Sequence, residues 1–428
     1  MRIVKHIRLL LASEGLRSSI LMMGGNVFAQ GLSGVAIIIL SRVIGPEQFG
    51  VFSTGFSLAL ISASIIDLGL TAAQQQAIPR AATSEERNTI FGTVIALKVL
   101  LSLVVLLLAV PLSSILGSYL NLSFSSLLFW IIAANLGSVF FNQFAAMLLS
   151  VKRVSQTVLI NSIQAAAKLI LSLSILIGGW RSGTGILFIY LSLPLLLLPF
   201  SRILLPKWYR FSATFSARSW IQMRSMALNN WIASFGLVLI QNVDIVLVSM
   251  LLTVGEAGLM AAASRLALFI SVFASSLAAV LIPRVSTYRE QHDLDLYWRK
   301  ALLIFFGSML MAVVSFFVSG VLIQYTVGQE YLAAAPVLGF LLAASWLGVG
   351  ITPINSLFFS YDKPWFFSSS AILQAGLLIL GNWYFLSQYG IEAAGWVRFA
   401  TQALLVLFSF AMALYSHHQR FHTLPRFR

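Results

Sequence analysis

NTIFGTVIALKVLLSLVVLLLAVP, residues 88–111, decides the fold. Lys98 is its one charge, and the stretch from Val99 to Val110 is apolar apart from Ser102. An α-helix rises 1.5 Å per residue, so about 20 such residues cross a hydrocarbon layer about 30 Å thick. Similar runs recur at 18–41, 49–77, 122–149, 157–178 and 183–205. After a polar, basic stretch they return at 225–251, 256–282, 301–324, 331–359, 366–386 and 391–416. The pattern predicts an all-α integral membrane protein of about twelve transmembrane helices.

Composition agrees with that reading. Hydrophobic residues make up 59% of the 428, and charged residues only 9%. Soluble domains carry about one quarter charged residues, so water cannot be the solvent for most of this surface. The net charge of +14 is spread singly or in small groups between apolar runs, which argues against a nucleic-acid partner. It suits orientation instead. With the N-terminus in the cytoplasm and the helices alternating, roughly 21 basic residues fall on the cytoplasmic side against roughly 2 opposite, Arg42 and Arg181. Both termini are then cytoplasmic.

The chain divides into five parts. Residues 1–17 read as an amphipathic interfacial segment, with Ile3, Ile7, Leu10 and Leu11 on one face and Arg2, Lys5 and Arg8 opposite. Residues 18–205 form a six-helix bundle, 206–224 a basic cytoplasmic linker, 225–416 a second six-helix bundle, and 417–428 a basic cytoplasmic tail. Six is even, so both halves enter the membrane in the same direction, as parallel repeats do. Gly45 to Gly50 joins the first two helices of one half. Val254 to Gly258 does so in the other, about 208 residues further on.

Six ionisable residues fall within the spans: Asp67, Lys98, Lys168, Asp244, Arg265 and Arg398. Facing lipid they are expensive, so they are expected to face the bundle interior or water. Polar stripes accompany them: Asn26, Gln30 and Ser33 in the first span; Ser53, Ser57, Ser64, Asp67 and Thr71 in the second; Asn230, Ser234, Gln241 and Asp244 in the seventh. Such stripes either line a hydrated cavity or glue helices together. Asp244 and Arg265 are also candidates for a structural ion pair. Four bases against two carboxylates suit an anionic cargo.

Other chemistry has no foothold. There is no cysteine, no nucleotide-binding P-loop, and no carboxylate pair at catalytic spacing. No cofactor or metal is expected. The histidines, His417, His418 and His422 among them, fall in cytoplasmic loops or tails and read as solvated. Asp293 and Asp295 with Glu290 read as a solvated loop.

Ser41-Arg42-Val43-Ile44-Gly45-Pro46-Glu47-Gln48-Phe49-Gly50, followed by Asp67-Leu68-Gly69-Leu70, resembles the bacterial polysaccharide and O-antigen lipid-carrier flippases of the multidrug/oligosaccharidyl-lipid/polysaccharide exporter superfamily. Val243-Asp244, Ala263-Ser264-Arg265, Thr352-Pro353-Ile354-Asn355 and Gly390 to Gly395 extend the resemblance over nearly the whole chain. Gln74, Gln75, Gln76 and Arg398 depart from the pattern.

The resemblance implies two six-helix bundles around a central hydrated cavity in the bacterial inner membrane. It implies a transporter without covalent chemistry, which flips an undecaprenyl-pyrophosphate-linked oligosaccharide, the repeat unit of lipopolysaccharide O-antigen, capsule or exopolysaccharide, to the periplasmic leaflet. A glycan polymerase and a chain-length regulator are its expected neighbours in that membrane. On this reading Lys98, Lys168 and Arg265 neutralise the pyrophosphate, Asn26, Gln30, Asn230 and Gln241 hold sugars, and Arg398 belongs to the same substrate cavity. Asp244 and Asp67 serve ion coupling or gating. A drug exporter of the same superfamily would need an acidic cavity. A membrane glycan polymerase or acyltransferase would need a long far-side loop or an intramembrane histidine.

Overall fold

A computed structural model describes residues 14–119, 127–206, 209, 213–363 and 365–421. The interfacial segment expected over 1–17 lies almost wholly outside them, as do Lys207, Arg210 and the end of the tail. Among the described residues all regular structure is helical.

The first helix, α1, runs Glu14–Asp67. At 1.5 Å per residue it is far too long for one crossing. Gly45 interrupts it with φ 74° and ψ 169°, and Pro46 follows. Glycine reaches that left-handed φ without steric penalty, and proline at 46 withholds a backbone donor from the ladder across the bend. The turn expected at Gly45-Pro46 is therefore a kink that makes two spans of one helix. A short helix α2 follows (Leu70–Ala77), then α3 (Ser84–Tyr119), α4 (Leu128–Ser150), α5 (Val154–Gly178), α6 (Gly183–Ile203), α7 (Ala217–Leu251), α8 (Val254–Val285), α9 (Gln291–Thr326), α10 (Ala335–Ser360), α11 (Trp365–Tyr389) and α12 (Glu392–Phe421). Apart from α2, each is long and apolar enough to cross a membrane. With α1 counted twice, the described residues hold twelve candidate spans, the number the sequence predicts.

Three boundaries differ from the sequence reading. The second span ends at Asp67 rather than 77, because Leu68 and Gly69 take φ values of 42° and 70° and turn the chain. A Cβ on Gly69 would lie 2.0 Å from the Ala227 carbonyl oxygen, so both backbone freedom and close packing demand glycine there. The linker is shorter than 206–224, since α7 already begins at Ala217. The tail is shorter too, because α12 continues to Phe421 and buries His417.

The chain forms two compact units, residues 1–43 with 58–234, and residues 44–57 with 235–428. The core of the first gathers Phe91, Val94, Phe141, Met147, Leu148 and Ala227. That of the second gathers Trp298, Ile354, Leu357, Phe358, Phe366 and Ala413. Large apolar side chains also point outward: Leu107, Ile177, Leu303 and Phe317 are each more than 70% exposed. Surfaces of that kind need lipid as solvent, and helices keep every backbone polar group satisfied there. The protein is a multi-pass membrane protein.

Candidate functional site

In the first unit, the break after Asp67 places its carboxylate against α3. Lys98 Nζ lies 2.7 Å from Asp67 Oδ1, with Lys98 2% exposed and Asp67 29%. Lys98 also donates to Thr71 Oγ1 at 3.0 Å, and the Thr71 hydroxyl donates to the Asp67 carboxylate. Thr71, expected on a continuous second-span stripe, reaches this cluster across the break. Two residues assigned separate roles, Lys98 to cargo and Asp67 to coupling, are thus one ion pair.

Next to it, Gln74 is fully buried and accepts from the Gln143 amide. It donates to Ser150 Oγ at 3.4 Å. The glutamine run that had no sequence-level explanation therefore supplies a polar bridge from α2 to α4. Lys168 is half-buried, its ammonium 4.9 Å from the centre of the buried Tyr190 ring. That geometry is a cation–π contact. Asn26 is half-buried and Gln30 exposed on the first span. Asn230 donates to the Met226 carbonyl of its own helix at 2.7 Å.

In the second unit, Asp244 on α7 is held by two other helices. Arg398 Nη2 on α12 lies 3.2 Å from Asp244 Oδ2, and the Asn382 amide on α11 donates to Oδ1 at 2.9 Å. The ion pair of Asp244 is thus made with Arg398, not Arg265, because Arg398 projects from α12 toward the buried carboxylate. Arg265 lies over the Phe56 ring at 5.5 Å. Arg398 and Gln241, both expected to face a cavity, line one of about 290 Å³ with Ser264, Ser345, Gln374 and Gln402. Gln374 donates to Gln402 at 2.8 Å across its wall.

Beyond these spans, Tyr361 ends α10. Trp298 Nε1 donates to its hydroxyl at 3.4 Å, and the hydroxyl lies 3.0 Å from His417 Nδ1. Burial pushes the Tyr361 phenol up to about 12, so it stays protonated and can donate to His417. The other ring nitrogen then faces Asp295 Oδ1 at 3.6 Å. His417 and Asp295, expected in solvated tail and loop, are instead buried parts of a helix-to-helix link.

Two clusters of charge, each built where helices meet, define the class as a polytopic helical membrane protein with ionisable groups held inside its spans. The comparisons narrow it. The chain is similar in structure to the lipid II flippase MurJ in an inward closed conformation, with a TM-score of 0.71 at 15% identity over 94% of this chain and 90% of that one. It is similar to an inward-facing multidrug resistance MATE family transporter of the MOP superfamily, with a TM-score of 0.71 at 14% identity over 92% and 96%. A MOP superfamily transporter from Pyrococcus furiosus matches with a TM-score of 0.51 at 14% identity over 94% and 95%. These likenesses establish a shared fold. No curated protein matches the sequence. The family described as "Polysaccharide biosynthesis protein" matches residues 16–289, more than half of the chain. The protein belongs to that family.

Proposed function

We propose that this protein is a flippase that moves an undecaprenyl-pyrophosphate-linked oligosaccharide from the cytoplasmic to the periplasmic leaflet of the bacterial inner membrane by alternating access. Its cargo is the repeat unit of O-antigen, capsule or exopolysaccharide, and both termini are cytoplasmic. Family membership supports a role in polysaccharide biosynthesis, and the fold shared with a lipid-linked precursor flippase supports the transport step. The observation that carries the choice of cargo is the sign of the interior. The spans carry four bases, Lys98, Lys168, Arg265 and Arg398, and two carboxylates, Asp67 and Asp244, which pair with Lys98 and Arg398. In a low dielectric that excess is worth far more than on a wet surface, and it favours a pyrophosphate.

The alternative is a small-molecule exporter, favoured by the equal likeness to the MATE transporter. A drug-cation cargo would call for the opposite interior sign. Asn26, Gln30, Asn230 and Gln241 are proposed to contact sugars, and Asp244 and Asp67 to serve coupling or gating. A polymerase and a chain-length regulator act downstream.

The test is deletion of the gene in its host, followed by leaflet-specific labelling of the lipid-linked oligosaccharide in spheroplasts. Trapping in the cytoplasmic leaflet, with surface glycan lost and restored by a plasmid copy, is the expected result. Single repeats accumulating in the outer leaflet would indicate a polymerase. Unchanged lipid-linked sugar would return the exporter reading.

A further inference from the structure

Two loops of the chain share one backbone design. In the first unit α4 ends at Ser150, Lys152 takes a left-handed φ of 60°, and the Lys152 and Arg153 amides donate back to Leu149 and Leu148 at 3.0 and 2.9 Å. About 210 residues on, in the second unit, α10 ends at Ser360 and Asp362 takes a φ of 57°. There the Asp362 and Lys363 amides donate back to Phe359 and Phe358 at 3.4 and 2.9 Å. The design is the same, but the charges are not. In the second unit carboxylates answer the bases: Asp362 lies 3.2 Å from Arg289, and Asp295 faces His417. In the first unit Lys152 stands where Asp362 stands.

Beside this turn lies a cavity of about 310 Å³ bounded by Ile78, Pro79, Ser150 and Pro206 and lined by Arg87, Lys152 and Arg153, with no carboxylate among the described residues of its wall. Arg87 Nη2 donates to the Ala81 carbonyl at 3.3 Å, but its Nε is buried without a hydrogen-bond partner among the described residues. Arg153 is anchored to the Leu204 carbonyl at 2.8 Å. It also stands at the N-cap of α5 with no side-chain cap, so the positive end of that helix adds to the same field. A buried guanidinium nitrogen left open beside two more cations calls for an anion with several acceptor oxygens.

We propose that this cavity is a binding site for a phosphate group, the headgroup phosphate of an anionic phospholipid or free phosphate. Basic pockets between helix ends of membrane proteins hold anionic headgroups in this way. The proposal does not depend on the cargo, and its test reads binding rather than transport.

Full-length protein is purified from vesicles of equal phosphatidylglycerol and phosphatidylcholine, and retained lipid is measured by native mass spectrometry. In parallel, its thermal midpoint is titrated with inorganic phosphate against chloride. Wild-type protein is expected to retain phosphatidylglycerol selectively or to be stabilised by phosphate. Arg87→Gln and Lys152→Gln should each weaken that binding about tenfold or more, the effect of losing one charge-assisted contact. Lys152→Asp supplies the control against misfolding. It restores the carboxylate that the second unit carries at this turn, and aspartate tolerates a left-handed φ. It should fold at least as stably as wild type and lose binding. Lipid retention alone identifies the lipid as the source, and phosphate stabilisation alone identifies the free ion. Equal retention of both lipids with no phosphate effect in wild type overturns the proposal, and so does unchanged binding in Lys152→Asp.

Discussion

Lys98 and Asp67 form an ion pair of unequal burial, 2.7 Å apart, with the lysine 2% exposed and the aspartate 29%. The inequality predicts an asymmetric response. Asp67→Ala leaves an ammonium enclosed with Thr71 as its remaining contact, and removing one partner of a buried pair costs about 3–5 kcal/mol. Lys98→Met leaves a carboxylate that still reaches polar surroundings, so it should cost clearly less. The double variant should recover most of the loss, because an apolar side chain then fills the lysine's space. Thermal midpoints of the three proteins in detergent decide this. Equal losses from the two single variants would mean the burial difference has no energetic weight.

Asp244 and Arg398 separate structure from function. Arg398→Gln strands a buried carboxylate with Asn382 as its remaining contact, so the protein should be strongly destabilised. Asp244→Asn combined with Arg398→Gln removes both charges and should fold. If Asp244 couples or gates transport, that double variant reaches the membrane in normal amount but exports no glycan. Normal export from it would reduce the pair to helix glue.

Lys168 lies against Tyr190, while the two ion pairs are formed by other bases, Lys98 and Arg398. Neutralising it tests the cargo's charge more cleanly than neutralising Lys98, whose loss also disturbs Asp67. Lys168→Gln is expected to lower surface glycan at least tenfold with unchanged membrane insertion, an interaction of about 1.4 kcal/mol or more. Lys168→Arg should retain export. Normal export from Lys168→Gln would remove this residue from the cargo path.

Tyr361 predicts an effect at the helix ends. Its hydroxyl links Trp298 to His417, so Tyr361→Phe leaves the buried His417 Nδ1 without that donor. The expected loss is about 1–3 kcal/mol in unfolding stability, the penalty for one unsatisfied buried group. The thermal midpoint measures it. Asp295→Asn, which keeps an acceptor toward His417, should cost less.

The spans are legible in the sequence because each is a long apolar window, and window length is a property of the sequence alone. The ion pairs are not. Asp244 and Arg398 sit on helices far apart in sequence, and the rotation of each helix about its axis is set by packing that periodicity does not reveal. With Arg265 one helix away, the nearer base is the natural partner to assign, yet Arg398 holds the carboxylate. The end of the second span at Asp67 carries a local signal, Gly69 followed by a glutamine run, but apolar and small residues on both sides mask it. His417 escapes a sequence reading because a basic, histidine-rich end reads as solvated, whereas here α12 continues and carries one face of that segment into the core.

The last prediction concerns the internal repeat. Gly50 and Gly258 stand about 208 residues apart and touch each other's helices reciprocally. A Cβ on Gly50 would lie 1.8 Å from the Val254 carbonyl oxygen, and a Cβ on Gly258 would lie 1.9 Å from the Pro46 carbonyl oxygen. Each glycine thus meets the residue four positions before the other, the mutual arrangement that a two-fold axis imposes on an interface. Glycine is required at both positions because the opposing atoms are backbone and cannot turn aside. Gly50→Ala and Gly258→Ala should each destabilise the second unit by about 3 kcal/mol, the upper range for overpacking. Because both clashes separate the same two helices, the double variant should lose less than the sum of the singles. Gly255, where an added Cβ would meet nothing within 4 Å, is the control. Gly255→Ala should be neutral or slightly stabilising, since alanine is the better helix former. Detergent thermal midpoints for the four proteins test the set. A Gly50→Ala protein as stable as wild type would show that the two helices do not approach this closely and would remove the reciprocal contact as support for the repeat.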